Sequence, residues 1–263
     1  MKTEKTKSSR GFSLLELMFV VAILMLVMGV VFQQMISIQK TAKAEDTKQD
    51  LTQEGREFMD TMIRDIHQAG FPNSGIYSVA VTSTTAKNAV GLVKFAYDEV
   101  WLEADVNGDG SVDSIDYKLT TASGTGQCPC KITRSQVPKV DGTAPDSQTP
   151  SPTTELNDVI NSGGANGGSS GTAAYSLFGN VFVGNSTKTV DNVYSNYKAA
   201  NVFTAYDASG NEISPATYST GAATLASIKT IKINLNLLGR QGDLQTGMRA
   251  VIPLTAGARV GGN

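Results

Sequence analysis

Residues 17–39 form an uninterrupted run of 23 uncharged positions, and Glu16 is the only charge between Phe12 and Gln39. As a helix, such a run crosses about 30 Å of hydrocarbon. The pattern then changes: residues 40–65 hold 12 charges of both signs in 26 positions, with one glycine and no proline. Apolar residues recur there at Leu51, Phe58, Met59, Met62, Ile63 and Ile66, the three- and four-residue spacing of one helical face. Gly70 followed by Phe71-Pro72 supplies a stop. One helix is therefore predicted from about Phe12 to about Gln68, apolar all round in its first half and striped in its second. Gly29 and Gly55 are expected to be its weak points, because glycine costs about 1 kcal/mol against alanine in a helix interior. His67, beside the stripe, is read as a structural histidine rather than a ligand or base.

Beyond residue 75 the period shortens to two. Strands are predicted at 92–97, 100–102, 115–119 and 202–206, the last before the turn sequence Asp207-Ala208-Ser209-Gly210-Asn211. Residues 231–237 alternate strictly between apolar and polar, which predicts one buried face and one wet face. Residues 249–254 are expected to close the sheet, with Pro253 tolerated only near an edge. The predicted fold class is α+β: a long N-terminal helix whose amphipathic half packs against a mainly antiparallel β-sheet domain. Residues 141–173 are dominated by Thr, Ser, Pro, Gly and Asn and are read as a flexible surface insertion. No Gly-Lys-Ser/Thr follows the glycines, so a phosphate-binding loop is rejected.

Composition narrows the function classes. Charged residues are 17% of 263, below the ~25% of ordinary soluble domains, and the net charge of −2 excludes a basic nucleic-acid binder. One His and two Cys leave little for a His-centred catalytic site or a zinc site. No G-x-S-x-G elbow, zinc spacing or dinucleotide loop occurs, so an enzyme is not expected.

Lys2, Lys5, Lys7 and Arg10, opposed only by Glu4, precede the apolar run. This basic flank should stay cytoplasmic and send the rest of the chain outward in a single pass. A cleaved secretory signal would have an apolar core of about 7–15 residues and a small-residue cleavage site, neither of which fits. A plain signal anchor leaves Glu16 unexplained, since an acid in a membrane helix marks a function by default. The stretch Arg10-Gly11-Phe12-Ser13-Leu14-Leu15-Glu16-Leu17 resembles the processing site of type IV pilins and type II secretion pseudopilins. The resemblance implies a leader at 1–11, cleavage between Gly11 and Phe12 by a prepilin peptidase, and N-methylation of Phe12. It also implies pairing of Glu16 with the terminal amine of a neighbouring subunit, in which two costly polar groups satisfy each other inside a dry bundle. Residues 12–39 would then be the transmembrane and filament-core half of the spine, 40–70 its amphipathic half, and 71–263 a β-rich domain outside the cytoplasm. The implied partners are other pilins and the peptidase, and the implied location is the bacterial inner membrane, then a pilus or pseudopilus. Residues 53–71 further resemble PilW-like minor pilins and J-type pseudopilins. The expected role is structural, in pilus assembly or priming, with a J-like pseudopilin or an anchored adhesive module as alternatives.

One motif carries metal chemistry. Residues 105–116 read DVNGDGSVDSID and match a twelve-residue calcium loop. Asp105, Asn107 and Asp109 would give side-chain oxygens, Ser111 its carbonyl, Asp113 a water-mediated contact and Asp116 the closing ligand, while Gly110 permits the turn. Hard oxygen donors without Cys or His favour structural Ca²⁺ over other metals. The predicted flanks are strands rather than EF-hand helices, which suggests a clip rather than a switch. Cys128-Pro129-Cys130 is expected to form a local disulfide outside the cytoplasm.

Overall fold

A computed structural model of the chain describes residues 13–72, 86–121, 127–161, 176–177, 180–183, 186–189, 193–242 and 248–261. The chain divides into two compact units, residues 1–45 and 46–263. Helix α1 runs unbroken over Leu14–Gln68. In the first unit it is bare: its large apolar side chains from Leu14 to Ile38 are each 40–76% exposed.

In the second unit the same helix buries Leu51, Gly55, Phe58, Met59, Met62, Asp65 and Ile66. That is the predicted stripe with two members of unexpected type, while Ile63, also expected on it, is half-buried and packs against the core. Burial of each large apolar side chain contributes about 1.5–3 kcal/mol. Gly55 is a point of close packing rather than a weak point: a Cβ there would collide with Leu254 Cδ1 and come within 2.9 Å of Leu237 Cδ1. Gly29 meets nothing, and the helix continues through it. At the C-terminal end of the helix, the Gly261 N–H donates to the Ile66 carbonyl at 3.2 Å. A side chain on Gly261 would run into the His67 carbonyl, so only glycine fits there.

The strands are β1 (Gly91–Phe95), β2 (Glu99–Ala104), β3 (Asp113–Thr121), β4 (Gln127–Cys128), β5 (Cys130–Pro138), β6 (Thr153–Val159) and β7 (Ser176–Leu177). They continue as β8 (Asn180–Val183), β9 (Ser186–Thr189), β10 (Phe203–Tyr206), β11 (Glu212–Ile213), β12 (Ala216–Thr217), β13 (Thr230–Gly242) and β14 (Arg249–Arg259). Two short helices, α2 (Ser195–Lys198) and α3 (Tyr218–Ser227), lie among them. Ten strands form one sheet in the order β11-β10-β13-β6-β5-β3-β2-β1-β12, with β14 on β13, and every pairing in it is antiparallel. Its core face carries Leu102, Ile115, Tyr117, Ile132, Leu156, Phe203, Ile231, Ile233 and Leu235, all fully buried and in one cluster with the α1 stripe. This is the expected α+β architecture.

Strand β13 is the hinge of the topology. Its first half pairs with β10, and Leu237 pairs with Val159 of β6. Asn234 and Asn236 direct their backbone groups to that side: Asn234 N–H donates to Val202 O, Asn236 N–H to Asn161 Oδ1, and Asn236 O accepts from Ile160. Pro253 of β14 lies opposite Asn236, so its missing N–H falls on the outer edge of β14, where no ladder bond is lost. The alternation of residues 231–237 holds on the core side, but the other face is not wholly wet. Asn236 is buried and donates to Tyr197 O, while Asn161 clasps Ala200 O and Asn234 O. The segment before β10 covers that face.

The reading of 141–173 as flexible is corrected over its first part. A 3₁₀ turn at Pro145–Ser147 leads into β6, and Gln148 is buried between Val140 and Thr143. Prolines and threonines there run as an extended, tethered segment instead of a loose one. Residues 162–173 lie outside the described residues.

Candidate functional site

Two regions carry the predicted chemistry. At the amino terminus, Gly11 and Phe12 lie outside the described residues. Glu16 is in the first turn of α1 and exposed, at the helix end where negative charge is favoured. After it comes a stem long and apolar enough to cross a membrane, with none of its most apolar window buried.

In the second unit, β2 delivers the loop and β3 receives it, closing on the pair Ala104–Asp113. Asp105 organises the turn: Oδ1 accepts from Gly108 N–H at 2.8 Å and Oδ2 from Gly110 N–H at 3.0 Å. Both glycines have positive φ, 74° and 83°, a region costly for other residues. Asn107 Oδ1 accepts from Asp109 N–H, and Asp109 Oδ1 from Ser111 N–H. Asp113 begins β3 and accepts from Gln136 Nε2 at 2.6 Å. Burial raises its carboxyl above the usual range, the Gln136 bond opposes that, and the charges of Asp109 and Asp105 raise it further. Asp105, Asn107, Asp109 and Asp113 therefore share one neighbourhood. Among the described residues, however, no three His, Cys, Asp or Glu side chains converge as a ready-made metal site.

Asp116 does not belong to that neighbourhood, which corrects its reading as the closing ligand. Three residues along a strand is about 10 Å, and an odd step reverses the face. Asp116 lies with Ser114 and Lys118 on the side away from Tyr117. Its carboxyl is pushed up to about 7, first by burial and then by Glu99. In an EF-hand, a helix would carry the twelfth residue back to the metal; here the strand carries it away. A cleft of about 420 Å³ adjoins the loop, lined by His67, Gln68, Phe71, Asp105 and Asn107 among others. His67 is exposed at its rim rather than packed in the core.

Two buried ionic clusters were not foreseen. Asp65 Oδ2, on the apolar stripe, accepts from Tyr117 Oη at 2.6 Å and from Arg134 Nη2 and Nε at 2.7 and 3.1 Å. Burial, then the Asp65 charge, raises the Tyr117 hydroxyl. Lys139 Nζ donates to Glu103 Oε2 at 2.7 Å with both side chains fully buried, and Val90 N–H donates to the same oxygen. Burial raises the Glu103 carboxyl in spite of Lys139. A charge on an otherwise apolar face was the one available signal for Asp65; β-strand alternation gave none for Glu103 or Lys139. Cys128 and Cys130, both buried, are joined by a disulfide where β4 meets β5.

A family model described as the prokaryotic N-terminal methylation motif matches residues 6–32. Neither a curated protein nor a solved structure matches the chain. The chain thus carries a type IV pilin-like prepilin signal, followed by a long apolar helix and a mainly antiparallel sheet domain.

Proposed function

We propose that the chain is a structural minor pilin, PilW-like, that is trimmed between Gly11 and Phe12 and takes part in assembling or priming a type IV pilus. What carries this reading is the coincidence of the methylation motif at 6–32 with a stem whose large apolar side chains stay exposed among the described residues. Such a surface is stable only in lipid or against other apolar helices. Glu16 then offers a carboxylate to the methylated amine of a neighbour. Mass spectrometry of sheared filaments tests the proposal: a peptide beginning with methylated Phe12 is expected, and its absence from filaments overturns it. Deletion separates a pilus subunit from a J-like pseudopilin, since lost pili with intact secretion supports the first and the reverse supports the second.

Calcium in the 105–113 loop is part of the same proposal. Asp105, Asn107 and Asp109 would supply oxygens, Ser111 its carbonyl, and Asp113 would close the shell in place of Asp116. The fit is partial, because the carboxylates are neighbours without being convergent. Affinity in the 10⁻⁴–10⁻³ M range of extracellular modules is expected. Calorimetry with Ca²⁺ checks it: Asp109→Ala should abolish the heat, Asp116→Asn should leave it, and no heat with the unaltered protein removes the metal.

A further inference from the structure

We infer that Thr149 and Ser151 are acceptors of O-linked sugar, an inference that rests on the outward placement of the domain proposed above. Between the 3₁₀ turn and β6 the chain reads Thr149-Pro150-Ser151-Pro152-Thr153-Thr154. Thr149, Ser151, Thr153 and Thr154 are all exposed. Composition of this kind, hydroxyls alternating with proline, marks O-glycosylated segments.

The structure separates these hydroxyls. Thr153 is engaged, its Oγ1 donating to Arg134 O at 3.0 Å and lying 2.9 Å from Glu155 Oε1. Thr154 is fixed in the β5–β6 ladder opposite Thr133. Threonines on α1 are also occupied: exposed Thr41 and half-buried Thr52 and Thr61 each donate to the carbonyl four residues back. The hydroxyls of Thr149 and Ser151 make no hydrogen bond among the described residues. Pro150 and Pro152 lack N–H groups, so the run cannot pair as a regular strand, and Gln148 before it is extended at φ −63°, ψ 152°. Its backbone tether is the Ser151 N–H bond to Ser135 Oγ at 2.8 Å. A transferase can therefore take up this segment without unzipping a ladder.

The step needs a sugar activated as a pyrophosphate ester, nucleotide- or lipid-linked. The hydroxyl oxygen forms a bond to the anomeric carbon, the bond from that carbon to the pyrophosphate oxygen breaks, and the hydroxyl proton leaves to a base of the transferase. The test is intact-mass and fragment spectrometry on the full chain purified from its own cells. Saccharide-sized increments on the 149–151 fragment are expected, and the double variant Thr149→Ala/Ser151→Ala should lose them with an unchanged melting temperature. An unmodified fragment, a phosphate-sized increment, or increments that persist in the double variant overturn the inference. The same spectra report whether the chain begins at methylated Phe12, so failure here is distinguishable from failure of the pilin reading.

Discussion

Helix α1 is one uninterrupted rod with two opposite relations to solvent. Over residues 14–38 it is greasy on every side and exposed throughout among the described residues; from Leu51 onward it is heavily charged, yet most of its stripe is buried with its own sheet. Apolar content therefore does not mark where the core lies. An all-round apolar helix has no direction in which to turn its surface away from water, so it needs lipid or sister helices. A striped helix can satisfy itself against one sheet. Charge follows the same division: Asp65 is tolerated on the stripe because Tyr117 and Arg134 meet it, whereas Glu16 is exposed and has no partner among the described residues.

The sharpest way to break this comparison is to remove the ion that ties the stripe to the sheet. Asp65→Ala leaves Arg134 and Tyr117 facing an empty place, and losing one member of a buried pair costs about 3–5 kcal/mol. The part from residue 46 onward should melt lower by about 10 °C, measured by calorimetry. Gly55→Leu comes next, since overpacking against Leu254 and Leu237 costs about 1–3 kcal/mol, read as a lower denaturant midpoint.

Asp116 gives a smaller, pH-dependent effect. Its folded carboxyl titrates near 7, above the unfolded value, so the protonated form favours folding. Its stabilisation is complete below about pH 4 and is lost as pH rises through 7. Asp116→Asn should flatten the fall in melting temperature between pH 5 and pH 8 by an amount on the order of 2 kcal/mol; an unchanged profile would show that the charge is relieved elsewhere. The smallest effect belongs to the stem. Gly29→Ala, with open space around the site, should stiffen the helix by about 1 kcal/mol and leave the melting of the sheet domain unaltered.

Much was legible in the chain itself. The extent of α1, its stripe and the principal strands follow from spacing alone, because period and charge are local properties, while the prepilin signal rests on the resemblance of residues 10–17 to a known processing site. The turn chemistry at Asp105 to Ser111 was also legible, since Gly108 and Gly110 occupy the positions that need positive φ. The metal shell was read too literally: a twelve-residue template assumes a helix after the loop, and a strand points its fourth residue the other way. Strands β5 and β6 were missed because their threonines, serines and prolines lack clean alternation, and pairing with β3 and β13 decides them instead.

By itself, then, the sequence determined an exposed stem, a striped helix and an α+β class, because hydrophobic period requires no knowledge of distant residues. Only tertiary structure decided that Gly55 is a contact, that Asp65, Glu103 and Lys139 are interior ions with partners, and that Asp116 leaves the loop. Each of those depends on which strand lies across the sheet, and partners 36 to 69 positions away in the chain leave no mark on local spacing.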